Sequence, residues 1–208
     1  MREGMAKALV NCLQGQGKNA ATVLDAGCGE GYYTEGFFSA LSAAGIAPTV
    51  VGYDISKYML PYACKSFHGI DYAVATIFDL PTADRSADAV VNIFTPVAWA
   101  EFRRVLKPGG YLFIAGPGPR HLWGLKEALY ETPYENVPKH YEAEGFSYTS
   151  IENVEDTITV KGREAIESLF LMTPYYWKTS KEATDKLLAL PELTTEIAFQ
   201  VHILQKNG

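Results

Sequence analysis

What this sequence lacks narrows it first. Its three cysteines, Cys12, Cys28 and Cys64 in 208 residues, show no Cys-x-x-Cys spacing. That excludes a recognisable zinc ribbon and a disulfide framework, and no metal is expected. No apolar run approaches the roughly 20 residues that cross a bilayer. Met1 to Lys7 lead into no long apolar stretch, so no membrane span or signal peptide is read. A reducing cytoplasm is the expected setting. Positive charge is also scarce, with 18 Lys and Arg against 24 Asp and Glu, a net −6. Chains that hold polyanions unaided usually carry the opposite sign, so any affinity for nucleic acid needs a local patch or a partner. Repeats, low-complexity tracts and Ser/Gly linkers are absent, and 48% apolar content suffices for a core. One domain over 1–208 is expected.

What is present alternates in period. Residues 3–14 carry Met5, Ala8, Leu9 and Cys12 at helical spacing. Short apolar runs follow at 21–26, 49–54, 70–77, 89–94 and 111–115, separated by stretches long enough for helices at 32–44, 56–67 and 97–106. Ser56 is the expected N-cap of the second of these helices. Strands joined by helical crossovers predict a parallel, doubly wound sheet. After the rigid Gly116-Pro117-Gly118-Pro119 loop come helical stretches near 121–131, 162–171 and 180–189. Strand-like segments at 146–160, interrupted at Asn153 and Glu155, and at 197–203 predict an antiparallel pair at one edge.

The sharpest local signal is Leu24-Asp25-Ala26-Gly27-Cys28-Gly29-Glu30-Gly31-Tyr32-Tyr33-Thr34. It places a glycine turn between a strand end and a helix start, where open α/β sheets bind ligands. The helix N-terminus behind it offers unpaired N–H groups. Tyr32 breaks the G-x-G-x-x-G of dinucleotide sites, and no Gly-Lys-Ser/Thr forms a P-loop. G-x-G-x-G after Leu24-Asp25 resembles motif I of class I S-adenosylmethionine-dependent methyltransferases. That resemblance implies a Rossmann-like, mostly parallel seven-stranded sheet with an antiparallel edge strand and helices on both faces. It also implies S-adenosylmethionine as cofactor. Asp54, ending the second strand, is then the acceptor for the ribose hydroxyls, with Ile55 beside it. Where the third strand of the family ends in an acid near the adenine, this chain has Thr76-Ile77. Asp25, Gly27, Gly29, Glu30, Gly31, Tyr33 and Thr34 complete the expected cofactor set.

Three further segments narrow the resemblance. Gly29 to Thr34, Pro117-Gly118-Pro119-Arg120-His121-Leu122, and Leu171-Met172-Thr173-Pro174 with Trp177 occur in that order. Together they look like bacterial 23S rRNA (guanine-N1)-methyltransferases, whose usual Cys-rich zinc ribbon is not seen in these residues. The chain resembles their catalytic domain, with 23S rRNA as the implied partner, bound weakly without a ribbon. Guanine N1 carries a proton at neutral pH, so the reaction needs a base or a stabilised deprotonated ring. His121 is read three ways: as that base, as a contact to the cofactor carboxylate, or as an ordinary helix-start residue. Arg120 is available for a phosphate or for O6. Asn92 sits in a loop loosely similar to one that holds a target nitrogen in nucleobase methyltransferases, and a plain strand end is the equal alternative. Tyr175, Tyr176 and Trp177 offer stacking surfaces or core packing. Two other functions stay open: methylation of a small molecule, and a non-catalytic module that binds S-adenosylmethionine.

Overall fold

The computed structural model describes residues 1–208. Four helices, α1 (Arg2–Gly15), α2 (Tyr32–Ala43), α3 (Leu60–Ser66) and α4 (Trp99–Val105), accompany five strands. These are β1 (Ala20–Ala26), β2 (Ala47–Asp54), β3 (Asp71–Val74), β4 (Ala87–Ile93) and β5 (Leu106–Pro117). β1 pairs in parallel with β2 and β4, β2 with β3, and β4 with β5. Every residue of β4 is buried, as a central strand covered on both faces requires. α5 (Trp123–Leu129), β6 (Phe146–Lys161), α6 (Arg163–Leu171), α7 (Lys181–Leu188) and β7 (Glu192–Lys206) complete the chain. The seven strands lie in the order β3-β2-β1-β4-β5-β7-β6. Side-chain pairs Ser147–Asn207, Asn153–Gln200 and Thr159–Thr194 run in opposite directions along β6 and β7, so this edge is antiparallel. The mixed sheet is the Rossmann-like one expected. No helix is long and apolar enough to cross a membrane.

The residues form two compact units, the first of 1–116, 140–152 and 201–208, the second of 117–139 and 153–200. In the first, Leu24, Val90, Phe102, Leu106, Leu112 and Ile114 lie at the centre of the buried cluster. Arg104 ties its loops to α4, donating to Glu101, Asp84 and the carbonyls of Leu80 and Thr82. The second unit packs Leu122, Leu125, Leu129, Ile166, Phe170 and Leu187 around α5, α6 and α7. There Lys126 is fully buried, its Nζ donating to the Tyr134 carbonyl at 2.7 Å and Asn136 Oδ1 at 2.8 Å.

Several boundaries differ from the sequence reading. α3 begins at Leu60, not after Ser56, and no side chain caps it. Ser56 instead opens a separate turn, its carbonyl accepting from the Met59 N–H at 3.1 Å while its own N–H donates to Asp54 Oδ1 at 2.8 Å, so the helix starts one turn later. β3 ends at Val74, where Thr76 turns back to bridge Asp79. Lys107 to Gly110 do not precede β5 but bulge within it, since Ala87 pairs with Leu106 and Ala89 with Tyr111. β6 runs unbroken through Asn153 and Glu155, whose polar side chains stand on its exposed side. β7 begins five residues earlier than Ile197.

Candidate functional site

The carboxyl ends of β1, β2 and β4 converge in the first unit, and the glycine loop hangs between them. The N–H groups of Gly27 and Cys28 both donate to the Tyr53 carbonyl, at 2.7 and 3.0 Å. The Gly29 N–H donates to Asp54 Oδ2 at 2.8 Å. Asp54 thus binds the loop through one oxygen and the start of the next turn through the other. Each oxygen keeps a further lone pair, the capacity that a vicinal diol would use. α2 begins after Gly31 without a side-chain cap, so its first amides remain available to a ligand.

Gly29 marks where the ligand would approach. Its φ is +56°, a region most side chains avoid, and a Cβ there would meet nothing within 4 Å. Such an open, left-handed position beside a carboxylate suits the close approach of a nucleoside to backbone. Ile55 lies just past Asp54 with 76% of its surface exposed, an apolar face beside that carboxylate. Thr76 accepts from the Phe78 N–H at 3.4 Å, while Ile77 is half-buried against the core. Glu30 is exposed, and Tyr33 packs edge-on against Tyr32.

Behind the loop lies a polar pocket of unequal satisfaction. Asp25 is buried, and its Oδ2 accepts from the Thr34 hydroxyl at 2.7 Å. Its Oδ1 has no partner, nor has the buried hydroxyl of Tyr72. Buried polar atoms are rarely left so, and this orphaned pair next to the glycine loop fits a ligand with polar groups of its own. Burial pushes the Asp25 carboxyl up to about 7, aided by the Asp54 charge and opposed by the Thr34 hydrogen bond. An acid whose folded value is raised above its ordinary 3.8 contributes stability that is lost as pH rises through the folded value. Asp25→Asn is therefore expected to gain on the wild type progressively between about pH 4 and 7 in urea unfolding. Parallel pH profiles for the two proteins would show that Asp25 ionises in the fold without penalty.

Asn92, at the end of β4, is buried, and its amide donates to Thr95 Oγ1 and the Pro96 carbonyl. Both protons shape the 92–96 loop, while Oδ1 is left unpaired. Thr95 in turn donates to the Ala26 carbonyl at 3.1 Å, which fastens this loop to the end of β1. Sequence reasoning missed both Tyr72 and Thr95.

Arg120 and His121 belong to the second unit. Arg120 pairs with Glu196 at 2.9 Å and lies over the Trp123 ring at 4.4 Å. His121 Nδ1 accepts from the Ala198 N–H at 3.3 Å, and its ring packs 4.5 Å from Phe199. Burial, with repulsion from Lys126, pushes it down to about 4, so it is neutral at pH 7. In the tautomer that this bond selects, Nε2 carries the proton and acts as a donor.

The comparisons with known proteins agree with this geometry. A family model described as a methyltransferase domain matches residues 24–114. A protein of Bacillus subtilis (strain 168), provisionally named a 23S rRNA (guanine-N(1)-)-methyltransferase, is 32% identical over 193 residues, covering 90% of this chain and 67% of that one. The 23S rRNA (guanine(748)-N(1))-methyltransferase of Streptomyces fradiae is 29% identical over 162 residues, 71% of this chain and 56% of that one. The chain thus spans from about half to two thirds of the length of these relatives. Among solved structures, the YcgJ protein of Bacillus subtilis shares the fold with a TM-score of 0.61 at 17% identity, over 100% of this chain and 98% of that one.

Proposed function

This chain belongs to the class I S-adenosylmethionine-dependent methyltransferases, homologous to the 23S rRNA (guanine-N1) enzymes, and from that premise we propose that it methylates N1 of a guanine in 23S rRNA. The observation that carries the proposal is the reach of the similarity. An alignment of 193 residues is too long for the general domain match at 24–114 and takes in the residues after β5. In this family of folds, those residues are where acceptor specificity has room to differ.

The cofactor supplies a methyl group made electrophilic by its sulfonium. The chain's residues hold and orient it. In this reading Asp54 takes the ribose hydroxyls, and Gly27, Gly29 and Gly31 let backbone lie against the ligand. Asp25, Glu30, Tyr33 and Thr34 surround the amino-acid end, and Ile55, Thr76 and Ile77 flank the adenine. Asn92 positions the Phe94 to Pro96 loop. Arg120 and His121 are assigned to the acceptor. A neutral imidazole whose Nδ1 already accepts the Ala198 N–H has only its protonated nitrogen left, which favours His121 as a hydrogen-bond donor over His121 as the base. Arg120, once released from Glu196, would favour the deprotonated guanine through O6.

RNA affinity of these residues alone is expected to be low. Lys107 and Lys18 are both bound to Asp88, whose burial would raise its pKa but whose lysine partners hold it below the usual range. Arg104 and Arg120 are likewise paired, and Lys126 is buried. These pairings and the net −6 favour a second reading, in which the acceptor is a small molecule. Incubation with labelled S-adenosylmethionine, unmodified 23S rRNA and a panel of small acceptors separates the two. Label in RNA is expected, with a reverse-transcription stop at one guanine, because N1 methylation blocks the Watson–Crick edge. Label only in small acceptors would establish the second reading, and no turnover with any acceptor would leave a binding module.

A further inference from the structure

Between α6 and α7 the chain makes a short 3-10 turn, Tyr176–Lys178, within the second unit. On it Trp177 leaves 83% of its surface in solvent, and nearby Met172 leaves 84%. An indole so exposed gains little from burial, yet this one is held in place. Trp177 meets Tyr176 at 5.0 Å and 81°, and Tyr176 meets the buried Phe170 at 5.5 Å and 72°. The turn beneath is tied down by the Lys178 N–H and the Thr179 hydroxyl, which donate to the Tyr175 carbonyl at 2.9 and 2.8 Å. The other two tryptophans are engaged, Trp99 against Tyr141 and Phe146, Trp123 beneath Arg120.

The segment that carries this ring differs in charge from a chain of net −6. From Ser168 to Lys181 no acidic residue occurs, whereas Lys178 and Lys181 do. Neither lysine enters an ion pair within the chain, in contrast to Arg104, Lys107 and Arg120. Met172 also borders an open groove of mixed charge, lined by Arg163, by Glu164 and by Lys161, which pairs with Glu192 at 3.8 Å. A pre-positioned aromatic face beside two lysines free of ion pairs is what an unpaired nucleotide requires: stacking for the base and positive charge for its phosphates.

We propose that Trp177, with Lys178 and Lys181, is a stacking platform for an unpaired nucleobase of the RNA substrate. The proposal rests on the rRNA reading above but concerns a different part of the chain from the cofactor loop. Aromatic stacking on a base costs about 5- to 150-fold in affinity when removed.

The test compares wild type, Trp177→Ala, Trp177→Phe and the Lys178→Ala/Lys181→Ala pair. Binding to a 23S rRNA hairpin with an unpaired loop, and to a blunt duplex of equal length, is followed by fluorescence anisotropy across a salt series. Trp177→Ala should weaken hairpin binding by at least fivefold while leaving the duplex within about twofold, and Trp177→Phe should restore most of the loss. The double lysine variant should flatten the salt slope. Because these side chains are exposed, thermal unfolding and S-adenosylmethionine affinity should not change. Hairpin affinity unaltered in Trp177→Ala overturns the platform, as does an equal loss on hairpin and duplex. Self-association of the wild type that Trp177→Ala abolishes, with RNA binding intact, would overturn it in favour of a second copy of the chain. The rRNA reading fails separately: selective hairpin binding through Trp177 without any methylation of RNA would keep the platform and remove rRNA as the acceptor.

Discussion

Asp54→Ala should weaken S-adenosylmethionine and S-adenosylhomocysteine binding by about 100-fold or more in calorimetric titration. Each of the two carboxylate oxygens already holds a backbone amide, from Gly29 and from Ser56. Two ribose hydroxyls added to this carboxylate would make charge-assisted hydrogen bonds, each worth about 1.5–3 kcal/mol. Removing the side chain takes away both of those bonds and releases the Gly29 amide, while Gly27 and Cys28 stay bound to the Tyr53 carbonyl. Affinity therefore falls for two reasons that act in the same direction. Asp54→Asn keeps an acceptor oxygen but no charge, so it should fall between alanine and wild type. Wild-type affinity in Asp54→Ala would remove this residue from the cofactor site.

Gly29→Val should abolish cofactor binding while leaving the protein folded. No heavy atom lies within 4 Å of a Cβ at this position, so the added side chain enters open space instead of the core. That open space is where the ligand must lie against the loop. The backbone also carries a cost, since φ of +56° strains a β-branched residue by about 1–3 kcal/mol. Gly17→Val separates the two effects. Gly17 has φ of +69° with nothing within 4 Å, in the α1–β1 connection and away from the loop. It should lose comparable stability and keep full cofactor affinity. If Gly29→Val bound S-adenosylmethionine normally, the ligand would have to approach the loop from another side.

The glycine loop and its carboxylate contacts were legible because the residues that build them are local in sequence or at adjacent strand ends. Asp25, the glycine turn and Thr34 fall within ten consecutive residues, and Asp54 follows from strand order alone. Tyr72 and Thr95 were not legible, because their roles depend on register and on a loop closing across two strands. One signal for Tyr72 was present. Gly52 follows the β-branched run Thr49-Val50-Val51 within the strand, and such a glycine often marks close approach by a neighbour. Gly52 pairs with Tyr72, whose ring would lie 2.7 Å from a Cβ placed there. The commitment of the basic residues was not legible either. Arg104 and Lys107 neutralise carboxylates that lie 19 or 20 residues away or one helical turn back.

The sequence by itself determined the class of sheet, the glycine loop, its carboxylate partner and the cofactor. Each is set by short-range periodicity and by residue types that few backbones tolerate, so no distant contact is needed to read them. Only the tertiary structure decided which charges remain available, which polar atoms stay unpaired, and which tryptophan faces solvent. These depend on pairings between residues far apart in the chain, such as Lys18 with Asp88 or Arg120 with Glu196. Trp99, Trp123 and Trp177 look alike in a composition count. Packing half-buries one against tyrosine and phenylalanine, covers another with arginine and leaves the third open, because burial is a property of neighbours and not of residue type.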